Sequence, residues 1–225
     1  MRISVLKKEQ TSSSCFNPIK YKFTTMTNVK AYAWLIPALI AAAASDYAPS
    51  LLGPGAAVAF VCFIGFFYHS TPRRITARGA IITAAFFGII AFFVAGRINN
   101  SFSPYMTLES VAVFVAPFAE EIAKAGGIYV LALRRKAVLR PRRTAALCGF
   151  LAGFVFGVLE GIFQPSVWRP ITALTHGLGT MLFALGIRLI IIGKRPRDGI
   201  LAGLFISAAI LEHMAWNVFA SLVLP

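Results

Sequence analysis

Seven apolar stretches, at about 31–48, 51–69, 79–96, 110–133, 144–164, 170–192 and 199–223, leave this 225-residue chain few folds to choose from. Six of them are long enough to cross roughly 30 Å of hydrocarbon as a helix. The first is the weakest, short and interrupted by Pro37 and Asp46. Inside a bilayer every backbone N–H and C=O needs a partner within the protein, which favours helices over irregular chain. The expected fold class is therefore all-α, a polytopic transmembrane bundle of about seven spans. With 58% hydrophobic and only 13% charged residues, the composition excludes an ordinary soluble domain. Cys15, Cys62 and Cys148 are scattered and form no Cys-x-x-Cys pair, so neither a zinc knuckle nor a disulfide framework is indicated.

The net charge of +14 would suit a nucleic-acid binder, but its placement suits topology better. Basic residues fall into clusters that alternate with loops nearly free of them. The N-terminal tail is basic, and the 45–50 turn has no Lys or Arg. Arg73, Arg74 and Arg78 follow the second span, while the 97–109 loop has Arg97 alone. The 134–143 loop carries Arg134, Arg135, Lys136, Arg140, Arg142 and Arg143; the next turn has only Arg169, and then come Lys194, Arg195 and Arg197. The positive-inside rule reads this as N-terminus in and C-terminus out. The 134–143 run is a topology signal and an anionic-lipid contact, and no nucleic-acid partner is expected. Residues 1–30 read as a polar, basic cytoplasmic tail without the apolar core of a signal peptide, with Met26 an alternative start. Residues 31–225 form the transmembrane domain, with the chemistry expected within about 110–223.

Four spans carry ionisable or strongly polar groups at depth. Glu120, Glu121 and Lys124 share the fourth, Glu160 lies on the fifth one turn beyond Phe156, and His176 is on the sixth. His213 and Asn217 stand at i,i+4 on the seventh. An acid at mid-bilayer depth costs roughly 2.5–3.5 kcal/mol on insertion scales and by default marks a functional site. At 1.5 Å per residue, all of these positions fall between the midplane and the outer surface, about ten residues or fewer below it. They can converge on one pocket open to the outside. Glutamate can act there as general base on water, and Lys124 can hold one carboxylate ionised. Histidine and asparagine can stabilise an oxyanion, or the histidines and a glutamate can hold a metal. Glu212 points about 100° away from His213 around its helix and is left out of the set. His69, at the end of the second span beside Ser70 and Arg73, reads as interfacial.

Glu120-Glu121-Ile-Ala-Lys124 resembles the E-E-x-x-K signature of PrsW-type intramembrane proteases, and Phe156-Gly-Val-Leu-Glu160 is similar to their F-x-x-x-E. His176 matches the lone histidine of their next helix, and His213-Met-Ala-Trp-Asn217 resembles their final H-x-x-x-N. Each motif is weak alone; four in order, each on a span, over about 120–217, are specific. In the wider clan of CAAX prenyl endopeptidases and bacteriocin-processing enzymes the first two motifs read E-E-x-x-x-R and F-x-x-x-H. Ala125 and Glu160 stand at those positions here and favour the PrsW branch. The resemblance implies an endopeptidase of the bacterial cytoplasmic membrane. It would cut a membrane-anchored protein, for example an anti-sigma factor, near its extracytoplasmic side. Glu120 or Glu121, with Glu121 slightly favoured, would activate water. His176 and His213 would bind metal, possible ligands being His176, His213 and Glu160 and zinc the candidate ion, or stabilise the oxyanion. Glu160 and Asn217 would support them, as would Lys124 and Phe156.

Two other classes compete. Buried Glu, Lys and His also make the relay of a proton-coupled transporter. The chain lacks the inverted repeat and paired broken helices of that class. A binding or immunity protein could keep the fold without the chemistry, but the polar set is intact. The fifth span also places Gly149, Gly153, Gly157 and Gly161 four residues apart, a face suited to close helix packing.

Overall fold

A computed structural model describes residues 75–163 and 168–223, with scattered positions between 33 and 69. The tail at 1–30 and most of the first two expected spans lie outside the described residues.

The described chain is helical throughout, with no strand. Five long helices dominate: α1 (Ala77–Phe102), α2 (Ala116–Arg134), α3 (Arg142–Phe163), α4 (Arg169–Ile192) and α5 (Pro196–Val223). Their starts follow from local chemistry. Thr76 caps α1 by accepting from the Gly79 N–H at 3.1 Å. Proline occupies the first turn of α4 and α5 as Pro170 and Pro196, where its missing N–H removes no helical bond. Asp198 closes the turn into α5 by accepting from the Lys194 and Arg195 N–H groups, each at 2.9 Å. α2 is preceded by the short turn Leu108–Ser110 and the π-helical turn Val111–Val115, so expected span 110–133 is one helical rod with a wide turn near its start.

α1, α3, α4 and α5 are long and apolar enough to cross a membrane. α2 is the exception, because Glu120, Glu121, Lys124 and Arg134 fall within its 19 residues. The packing explains how it is tolerated. α1, α3, α4 and α5 pack in that spatial order as an arc, and α2 touches all four. The polar face of α2 is thereby turned toward helices that can face lipid, while its own Phe118, Ile122 and Leu133 stay exposed. This arrangement is that of an integral membrane protein.

Sidedness follows membrane rather than aqueous rules. The buried face of α1 is Ala80, Ala84, Phe87, Gly88, Ala91, Val94 and Ala95, mostly small. Its outer face presents Ile82, Phe86, Ile89 and Phe93. Lipid is as apolar as leucine, so helices gain by close approach of small residues and leave bulk outside. The expected glycine face does this between α3 and α4. A Cβ on Gly153 would strike the His176 carbonyl and lie 2.7 Å from Thr180 Oγ1. One on Gly157 would lie 2.6 Å from Ala173 Cα and 2.9 Å from His176 Cδ2. The stripe is packing, as read, and it sets how close His176 comes.

The expected boundaries hold within a few residues except at the end of α1, where the helix runs on to Phe102 and takes Arg97 out of the loop assigned to it. The polar residues of the expected site all lie toward the end of the bundle away from the basic segments at 134–143 and 194–197.

Gly153→Val should lower the thermal unfolding midpoint of the detergent-solubilised protein strongly. Gly203→Ala, with open space around the added carbon, should leave it unchanged or raise it, since alanine is favoured over glycine by about 1 kcal/mol in a helix. Equal effects of the two would contradict the packing described.

Candidate functional site

α2 brings two adjacent carboxylates to the centre, and neighbouring helices treat them differently. Glu121 is 0% exposed and fully bonded. Its Oε1 is paired with the Lys124 ammonium one turn along α2, and faces His213 Nδ1 of α5 at 3.2 Å. Its Oε2 accepts from Thr180 Oγ1 of α4 at 2.9 Å. Lys124, also fully buried, lies 4.6 Å over the Phe156 ring of α3 and donates to His176 Nδ1 at 3.1 Å. Taking two charges out of water is repaid only when both are thoroughly bonded, and this pair is.

Glu120 is held on one side only. Its Oε1 accepts from Asn99 Nδ2 of α1 at 3.1 Å. Its Oε2 is buried without a hydrogen bond, with His213 Nε2 3.5 Å away. A carboxylate oxygen left bare at this depth is costly.

The partners fix both histidine tautomers. An ammonium only donates, so His176 Nδ1 accepts and its Nε2–H donates to Glu160 Oε2 at 2.8 Å. A carboxylate only accepts, so His213 Nδ1 carries the proton toward Glu121 and Nε2 turns toward Glu120. The rings meet edge to face, 4.7 Å between centroids. Each histidine thus has one N–H anchored on a carboxylate, the usual outer support of a metal-binding imidazole.

One donor atom from each of Glu120, His176 and His213 lies within 4.8 Å of the others, a group that could hold a metal ion. The residues fit that use. The bare Glu120 oxygen lacks a partner, two imidazoles and a carboxylate are a zinc donor set, and Glu120, Glu121 and Glu160 outnumber the Lys124 ammonium by two charges. The expected set of His176, His213 and Glu160 differs by one member: Glu160 lies behind His176, and Glu120 takes its place.

The structure thus brings together Glu120, Glu121, Lys124, Phe156, Glu160, His176 and His213. Asn217, one helical turn beyond His213 on α5, turns its amide to the start of α2. Asn217 Nδ2 donates to the Ala112 carbonyl at 2.7 Å, in the π-helical turn. In that turn Ala116 N–H bonds the Val111 carbonyl, an i+5 register. The next carbonyl, Ala112, would look to residue 117, a proline with no N–H to give. Asn217 supplies the missing donor and ties α5 to the start of α2.

Three residues outside the expected set belong with it. Asn99 and Thr180 bond the two glutamates directly. Glu212, set aside on its helical angle, ends against Gly179, where a Cβ would lie 2.7 Å from Glu212 Oε2 and 3.8 Å from Glu121 Oε1. Signals for them were thin. Asn99 lay in a stretch read as loop, and one threonine on an apolar span is unremarkable.

Asn217→Ala should cost about 0.5–1.5 kcal/mol, the net worth of one hydrogen bond. Pro117→Ala restores an N–H opposite the Ala112 carbonyl, so the double variant should lose less than the two single losses summed. Additive losses in a thermal or denaturant unfolding series would contradict this account of the π-helical turn.

Thr180→Val keeps the shape but removes a donor to a charged acceptor and should cost about 1.5–3 kcal/mol in the same assay. No loss would show that Glu121 is not held as described.

No curated protein and no solved structure matches the chain. The family profile described as PrsW family intramembrane metalloprotease matches residues 71–225, which takes in all five long helices and every residue of the cluster. The chain belongs to the PrsW family of intramembrane metalloproteases.

Proposed function

We propose that the protein is an endopeptidase that cuts a membrane-anchored protein near the extracytoplasmic face. The observation that carries this reading is the bare, buried Glu120 Oε2 beside His176 and His213. Glu120, His176 and His213 would hold the metal, with zinc the candidate their chemistry suits. When bound, the metal supplies Lewis-acid polarisation of a peptide carbonyl and activation of water.

The chain's own groups divide the remaining work. Glu120 Oε2 would bind the metal or accept the proton of the reacting water, because it is the oxygen left open. Glu121 was slightly favoured for that role on sequence. Its bonds to Lys124, His213 and Thr180 suit it instead to holding His213. Glu160 keeps the proton of His176 on Nε2 and so leaves Nδ1 as the second nitrogen. Lys124 shares that nitrogen, and its pairing with Glu121 anchors it when the nitrogen is given up. Phe156 walls off the ammonium, and Asn217 acts through the Ala112 carbonyl.

The positive-inside rule places the basic segments at 134–143 and 194–197 in the cytoplasm, which puts the polar cluster toward the outer leaflet. That agrees with a seven-span chain with N-terminus in and C-terminus out. The substrate would be a protein with a single anchoring span, such as an anti-sigma factor, in a bacterial cytoplasmic membrane. The same buried groups could serve a proton-coupled carrier as a relay, but the family match favours the protease.

Membrane-protein fragments compared between cells expressing the wild-type chain and Glu120→Gln provide the test. At least one fragment should vanish in the variant, and cleavage should fall by two or more orders of magnitude, as when a group at the reacting atoms is removed. Identical fragments in the two strains would overturn the reading.

A further inference from the structure

α1 carries none of the motif residues, yet it presents to the cluster a side chain only half committed. Asn99 Nδ2 donates to Glu120 Oε1, which fixes which way its amide points. Turning the amide over would set two acceptor oxygens against each other, so Oδ1 cannot serve Glu120. That oxygen is itself buried and without a hydrogen bond. A bare amide oxygen is costly, and the carboxylate that Asn99 holds carries another bare oxygen of the site.

Resting on the protease reading, we propose that Asn99 Oδ1 is a substrate-binding atom that accepts a backbone N–H of the peptide segment being cut. The chemistry of the substrate supplies the donor. A spanning helix hides its carbonyls within its own hydrogen bonds, so hydrolysis requires a few residues to be unwound. Each unwound residue then exposes an N–H, and inside a bilayer an unpaired N–H costs several kcal/mol. The site must offer acceptors, and those nearby are taken: Glu121 by Lys124, His213 and Thr180, and Glu160 Oε2 by His176. Asn99 Oδ1 is neutral, uncommitted and fixed in direction by Glu120. One amide thus couples the substrate backbone to the carboxylate at the reacting water. The position near the outer end of α1 fits cleavage close to the membrane surface.

The test uses the full chain in lipid nanodiscs. The probe is a synthetic single-span peptide carrying the sequence whose fragment is lost in Glu120→Gln cells. Around the cut bond each peptide N–H is replaced in turn by an ester oxygen, which removes one donor at a time. With wild type, one ester position should lower kcat/KM by roughly tenfold, the worth of one hydrogen bond at about 1.4 kcal/mol. With Asn99→Ala the all-amide peptide should be cut correspondingly more slowly, and the same ester should cause no further loss. Asn99→Ser, a smaller change, repeats the comparison should the alanine variant fold poorly, and thermal melts establish folding for both. Ester losses equal in wild type and variants would overturn the proposal and leave Oδ1 a site for water. Wild-type cleavage by a folded Asn99→Ala would overturn it as well. Fragments that do not differ between wild-type and Glu120→Gln cells would instead bring down the protease reading itself, and this proposal with it.

Discussion

A carboxylate that cannot reach water must be surrounded by donors, and Glu121 is surrounded by them. Lys124 comes from its own helix, Thr180 from α4 and His213 from α5. Removing Lys124 would leave its charge uncompensated in a medium where that is worth several kcal/mol, and removing Thr180 or His213 would leave it one donor short. The requirement explains the architecture. α2 takes the middle because it carries the charges, α3 and α4 approach through glycines so that His176 and Thr180 reach inward, and the bulky residues are left for lipid. Glu120, one residue earlier, inherits the enclosure without being saturated, and on that difference rests the proposal that Glu121 holds while Glu120 reacts.

Much of this was legible in the chain. Apolar length and the alternation of basic loops gave the described spans to within a few residues, because both report one-dimensional constraints, bilayer thickness and charge translocation. The cost of burying acids drew Glu120, Glu121 and Glu160 together with His176 and His213 before any geometry was known. Helical period tells which face a residue occupies but not which helix comes to meet it. For that reason the possible ligand set names Glu160 whereas the donor atoms that converge include Glu120, and the bond from Asn217 to the Ala112 carbonyl has no counterpart in the sequence reading.

The remaining differences have physical sources as well. α1 runs past the expected end because Asn99, polar enough to be taken for loop, has Glu120 to bond with. Pro117 could be read as a helix starter, but its effect on the π-helical turn depends on Asn217, 100 residues later in the chain. Gly179 of α4 leaves room for the Glu212 carboxylate of α5. Each case is a pairing between helices, and such pairings leave no local trace in a sequence.

The central claim is that Glu120, His176 and His213 form one metal-holding group buried among helices. Metal stoichiometry of the purified full-length protein after zinc loading and removal of excess ion tests it most directly. The account predicts about one zinc per wild-type chain, and a large loss in both His176→Ala and His213→Ala, each still folded by thermal melt. Zinc content that is absent from the wild type, or unchanged in both variants, would contradict it.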